Sequence, residues 1–213
     1  MQRLALRSGF LLAVLALSAC APQAPVAQPL MLHIHATAAA APWLDQAFTC
    51  AAAKGLALNV VPSPEGAQVS LRVGEPPALA GMAYQIDTEE ILIVTSRESP
   101  IQNLDAEQAR DLFARPGDSV QVWVYAAGED VQQAFDRLLM DGAGLTSLAR
   151  LAATPQEMLD TLNAEGNAVG ILPRHWLAGT ARAVYSLGSV PVLALVDREP
   201  DEPTARLIDC LQK

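Results

Sequence analysis

Glu90-Ile91-Leu92-Ile93-Val94-Thr95 places four large apolar residues in a row with no polar alternation. Such a run is typical of a strand buried on both faces in a parallel sheet covered by helices. On its N-terminal side, Met31-Leu32-His33-Ile34-His35 reads as a strand, and a helix is expected from about Pro42 to Lys54. Leu56 to Val61 and Gln68 to Val73 are two further strand candidates.

The C-terminal side has clearer punctuation. Asp105 and Gln108 have capping-box spacing and open a helix running through Phe113. Val120 to Tyr125 reads as a strand, after which Val131, Ala134, Phe135, Leu138 and Leu139 fall on one helix face. Gly142-Ala143-Gly144 follows that helix and reads as its C-cap and turn. Thr154-Pro155-Gln156-Glu157 is a helix start, with Thr as N-cap, Pro at the first position and Glu at the third. Met158, Leu159 and Leu162 supply its buried face. Ala168 to Leu172 and Val190 to Val196 are strands, and Pro203 to Leu211 is a final amphipathic helix. Strands alternating with helices imply α/β architecture with largely parallel sheets, and no internal repeat is present.

The first thirty residues read as an address. Arg3 and Arg7 precede an apolar stretch from Phe10 to Leu17, and Leu17-Ser18-Ala19 leads straight into Cys20. This is the layout of a secretory signal ending in a lipoprotein processing site, with Cys20 lipidated and residues 1–19 removed. The apolar run falls short of the ~20 residues that a spanning helix needs. Residues 20–30, rich in Ala, Pro and Gln and without charge, read as a flexible tether. The folded part is expected to be extracytoplasmic and anchored by lipid to the membrane.

Without residues 1–19 and their two arginines, 12 basic and 23 acidic side chains remain, a formal charge of −11. No Lys/Arg cluster offers a footprint for nucleic acid. With Cys20 lipidated, Cys50 and Cys210 are an even pair in an oxidising compartment. A bridge would close a loop of about 160 residues and stabilise by on the order of 4–5 kcal/mol. Two buried free thiols are the alternative.

Catalytic patterns are absent: there is no Gly-x-Ser-x-Gly elbow, no P-loop and no Gly-x-Gly-x-x-Gly turn after a strand. His33 and His35 share one face of a strand, a spacing with which some metal-dependent hydrolases begin their site. His175 is the only other histidine, so carboxylates would have to complete a catalytic zinc set. That architecture is a (β/α)₈ barrel of ~250 residues, longer than this chain without its signal. Two surface histidines are the plainer reading. Arg174 and His175 either face a cleft or open a short helix in solvent. No enzyme, metal or cofactor is expected.

From Ile91 onward the chain resembles the substrate-binding proteins of phosphate-type ABC transporters, in the type II periplasmic-binding-protein superfamily. Glu90 to Thr95 is similar to the crossover strand leaving the first lobe, and Ser99-Pro100-Ile101-Gln102-Asn103-Leu104 to the start of the second. Gln108 to Phe113 looks like the family's "QL-x-x-IF" helix, and Val120 to Phe135 like its strand, ligand loop and helix. Ala168-Val169-Gly170-Ile171-Leu172-Pro173 is similar to the "A-I-G-Y" strand near the hinge. Val190 to Leu211 resembles the returning strand and terminal helix of the first lobe. The resemblance implies a two-lobed type II periplasmic-binding-protein-like α/β fold, each lobe a small mostly parallel sheet flanked by helices. Lobe I would hold residues 31–90 with 180–213, and lobe II residues 91–179. Crossovers near 90–97 and 172–185 would be the hinge, and the lobes would close around a small solute.

Carried over by position, the first-lobe loop is Ala36-Thr37-Ala38-Ala39, the crossover offers Thr95 and Ser96, and the second-lobe loop is Ala127-Gly128-Glu129-Asp130. Tentative ligand residues are therefore Thr37, Ala38, Thr95, Ser96, Gly128, Glu129 and Asp130. Phosphate-binding relatives carry hydroxyls in both loops, whereas alanines and two acids stand here. Ionised carboxylates only accept hydrogen bonds. Each would repel a phosphate charge by about 4 kcal/mol at 4 Å with an effective dielectric near 20. Glu129 and Asp130 either serve the start of their helix or select a cation, an amine or a protonated group. The implied function is an extracytoplasmic solute-binding lipoprotein, a monomer serving an ABC permease, for phosphate or another small ion or metabolite. The alternative is a degenerate binding-protein fold acting as a surface interaction or sensory module without transport.

Overall fold

The computed structural model describes residues 30–213. The expected signal segment 1–19, the expected lipidation site Cys20 and the expected tether through residue 29 lie outside the described residues. β1 (Leu30–Ala36) leads through a short 3₁₀ turn, Ala41–Trp43, into α1 (Leu44–Ala53). β2 (Leu56–Val60) and β3 (Val69–Val73) follow, both parallel to β1. β4 (Met82–Ser96) is a long strand that carries the Glu90–Thr95 run. Then come α2 (Ala106–Ala114), β5 (Gln121–Val124), α3 (Asp130–Phe135), β6 (Arg150–Leu151), α4 (Pro155–Ala164) and β7 (Ala168–Pro173). A second long strand, β8 (Ala181–Val196), and α5 (Glu202–Leu211) complete the chain.

The strands form a mixed sheet in the order β2-β1-β3-β8-β4-β7-β5-β6. One wing is the parallel set β2-β1-β3 and the other the parallel set β7-β5-β6, while β4 and β8 run antiparallel through the middle. Ile91 to Val94 are fully buried, as the run implies, yet β4 is antiparallel to both of its neighbours. The expectation of a parallel strand there is corrected. Apolar side chains on both faces report that both faces are covered; they carry no information on strand direction.

The two long strands link the wings. Met82 to Glu89 pair with Val190 to Val196 beside β3, and Leu92 to Ser96 pair with Ala181 to Ser186 beside β7. The register shifts between Ile91, opposite Gly188, and Leu92, opposite Ser186. Gly188 has φ +112°, a conformation side-chain-bearing residues avoid, so the bulge sits where the strands pass from wing to wing.

Helix ends follow the sequence signals. Asp105 and Gln108 form both halves of a capping box, and Thr154 accepts the Glu157 amide ahead of Pro155. The helix face begun at Val131 continues past α3 as a π turn, Asp136–Met140, and ends at left-handed Asp141 and Gly142. On the first wing α1 packs against α5, and Cys50 and Cys210 are joined with their Cα atoms 5.7 Å apart.

Candidate functional site

The loops that leave β1 and β5 face each other between the wings. Thr37 follows β1, anchored by its amide on the Leu71 carbonyl. Its hydroxyl donates to Asp130 Oδ2 at 2.5 Å and accepts the Ala40 amide at 3.3 Å. The same Asp130 oxygen accepts the amide of Val73, the last residue of β3 in the first wing, at 2.9 Å. Oδ1 accepts the following amide, Val131, at 2.9 Å. Asp130 is 3% exposed, so this carboxylate is buried among donors from both wings.

Neighbouring contacts hold the wings in the same arrangement. Arg72 Nη2 donates to Gln133 Oε1 at 3.0 Å, and Trp176 Nε1 donates to the Ala39 carbonyl at 3.1 Å. Burial pushes the Arg72 guanidinium down, and the Asp130 carboxylate pulls it back up. Gly74, at φ +75°, turns the chain out of β3 in a conformation that side-chain-bearing residues avoid. What remains of the cleft is a cavity of about 10 Å³ lined by Ala38, Tyr125, Glu129, Asp130 and Pro155 among others. That is room for about one water molecule.

Of the tentative ligand residues, Thr37, Ala38, Glu129 and Asp130 come together here, while Gly128 stands apart from the cavity in the same loop as Glu129. Gly128 is exposed, and its carbonyl accepts Gln133 Nε2. Glu129 precedes α3 without bonding its amides. Burial, and then the charge on Asp130, push the Glu129 carboxyl above its ordinary value of 4.5. An acid with a raised folded pKa favours the fold below its ordinary value, and that contribution is lost as pH rises through the raised value. Glu129→Gln is therefore expected to raise the melting temperature at pH 7, with the gain shrinking as pH falls toward 4.5. Thermal melts of both forms across that range check it.

Thr95 and Ser96 lie elsewhere. Thr95 pairs with Val169, near the start of β7, whereas the Asp130 loop leaves the opposite, C-terminal end of the parallel strand β5. Both residues are buried; among the described residues the Thr95 hydroxyl has no partner, and Ser96 Oγ accepts the Glu98 amide. They line no part of the cleft around Asp130.

At the crossover, Arg174 and His175 open a 3₁₀ turn, Arg174–Trp176, and both are tied to carboxylates of β4. His175 Nδ1 lies 2.7 Å from Glu89 Oε2, and its ring packs on Trp43 with centroids 4.6 Å apart. Trp43 Nε1 in turn donates to Asp87 at 2.9 Å. Sequence reasoning missed Val73, Glu89 and Trp43. The adjacent acids Glu89-Glu90 ahead of an apolar run were the available signal for the second. His33 and His35 each have a ring nitrogen beside a neighbouring strand, at Asn59 and Ser70 respectively. Among the described residues no group of three His, Cys, Asp or Glu converges as a metal site.

The same arrangement of strands occurs in solved structures. A protein named as a phosphate ABC-transporter substrate-binding protein of Clostridium perfringens, with bound phosphate, superposes with a TM-score of 0.75 at 14% identity, over 85% of this chain and 92% of that one. This chain has the type II periplasmic-binding-protein fold. An ABC-type phosphate transport receptor of Vibrio cholerae shares that fold at a TM-score of 0.64 and 16% identity, over 85% of this chain and 93% of that one. So does the CcmR regulatory domain of Synechocystis PCC6803 in complex with 2-PG, at 0.66 and 13%, over 85% and 95%. The fold thus occurs in transport receptors and in regulatory domains alike. No protein-family model and no curated protein matches the chain.

Proposed function

We propose that this chain is an extracytoplasmic solute-binding lipoprotein, lipidated at Cys20 and serving an ABC permease. It works as a two-lobed clamp on a small solute and catalyses no reaction. Lobe I is built on residues 31–90 with 180–213 and lobe II on 91–179. The observation that carries this reading is the direct meeting of Thr37 and Asp130 from the two wings across the cleft. Glu129, the acid of the second-lobe loop that bonds no amide of its helix, suits a solute bearing hydrogen-bond donors, such as an amine, better than phosphate. Among the described residues no helix is long and apolar enough to cross a membrane.

The second reading, an interaction or sensory module, is favoured by the small size of the cleft, about 10 Å³. Thermal unfolding against phosphate, other oxyanions, amino acids and polyamines separates the two. A true solute at 1,000 times its dissociation constant stabilises by about 4 kcal/mol, a shift on the order of 10 °C. We expect it with amine-bearing solutes and not with phosphate. A shift with phosphate would overturn the argument from the acids, and no shift with any solute would favour the interaction module.

A further inference from the structure

We propose that Asp130 is the built-in ligand of its own cleft: its carboxylate occupies an oxyanion subsite and holds the lobes closed without solute. The subsite is the donor set of the first wing, the Thr37 hydroxyl and the Val73 amide, which converge on one carboxylate oxygen. A buried carboxylate must be hydrogen-bonded or its burial is costly, and these donors supply that in the closed arrangement only. The donors would be equally short of a partner if the lobes parted: Val73 lies beyond the last residue that β1 pairs with on β3, Leu71. Arg72 and Trp176 add cross-lobe bonds around the same point.

The chemistry of the subsite is that of a small carboxylate or other oxyanion, but the occupant is tethered to the chain. A tethered group competes at an effective concentration of about millimolar or more. Free anions in the micromolar range therefore do not enter, and closure does not report on them. The inference holds whether the protein carries a solute or acts as an interaction module.

The test removes the occupant and keeps the donors. Asp130→Ala is expected to expand the molecule in small-angle scattering and to lower its melting temperature. It is also expected to acquire a response that the native chain lacks. Formate, acetate or phosphate at ten times its dissociation constant should raise the variant's melting temperature by about 3–6 °C and return its scattering to the native profile. Thr37→Val in the Asp130→Ala background removes a donor and should weaken that response, which separates a specific subsite from general salt stabilisation. Should Asp130→Ala be too unstable to purify, Asp130→Asn keeps the shape and an accepting oxygen, loses the charge, and should open partially. An Asp130→Ala protein that keeps the native scattering profile and ignores all three anions would overturn the proposal, leaving Asp130 a packing residue. So would rescue that is unchanged by Thr37→Val.

Discussion

Reducing the Cys50–Cys210 bridge is expected to lower stability by about 4–5 kcal/mol and the melting temperature by on the order of 10 °C. The bond spans 160 residues, so it restricts nearly the whole unfolded chain, and the entropy it removes there grows with the logarithm of the loop. In the folded protein the bridge joins α1 to α5, both on the first wing, and crosses no part of the cleft. Reduction should therefore destabilise without opening the lobes. Melts with and without reductant, repeated on the Cys50→Ala/Cys210→Ala variant, measure the effect. A loss below about 1 kcal/mol would mean that the packing of Leu207, Ile208 and Leu211 holds the chain's end without help, since removing a native bridge ordinarily costs about 2–5 kcal/mol.

Phe135→Ala is the point substitution with the largest expected cost, about 3–5 kcal/mol. Phe135 ends α3, is fully buried, and packs its ring on Phe113 of α2 with centroids 4.7 Å apart. The void left by the ring lies between two helices pinned at their starts by fixed loops, so it collapses poorly and the lost contacts are not recovered. Urea denaturation of Phe135→Ala beside Leu148→Ala is the check. Leu148 is 75% exposed, and its truncation should change stability by no more than about 0.5 kcal/mol. A similar small change at Phe135 would contradict the packing described for the second wing.

Much of this fold was readable residue by residue. Caps at Asp105 and Thr154 act through neighbours three positions away, and local chemistry of that kind is written into the chain. The burial of Ile91 to Val94 was equally plain, but its antiparallel pairing was not, because strand direction is decided by the connections. Thr37 and Asp130 were each singled out by the family resemblance. Their mutual bond joins residues 93 positions apart, and no local pattern announces it. Thr95 and Ser96 entered through the same resemblance, and register alone removes them from the cleft. The His175–Glu89 pair shows the same limit: His175 was open to either a cleft or solvent, and Glu89 carried no reading, until the crossover brought them together.

The cleft is closed by the protein's own groups, and the Val73 amide tests that closure most directly. That N–H donates to Asp130 and to no strand, so its hydrogen exchange in solute-free protein reports the cross-lobe bond itself. We expect slow exchange, comparable with the core amides of β3. Exchange as fast as that of an exposed loop, alongside a protected β3, would contradict the closed clamp.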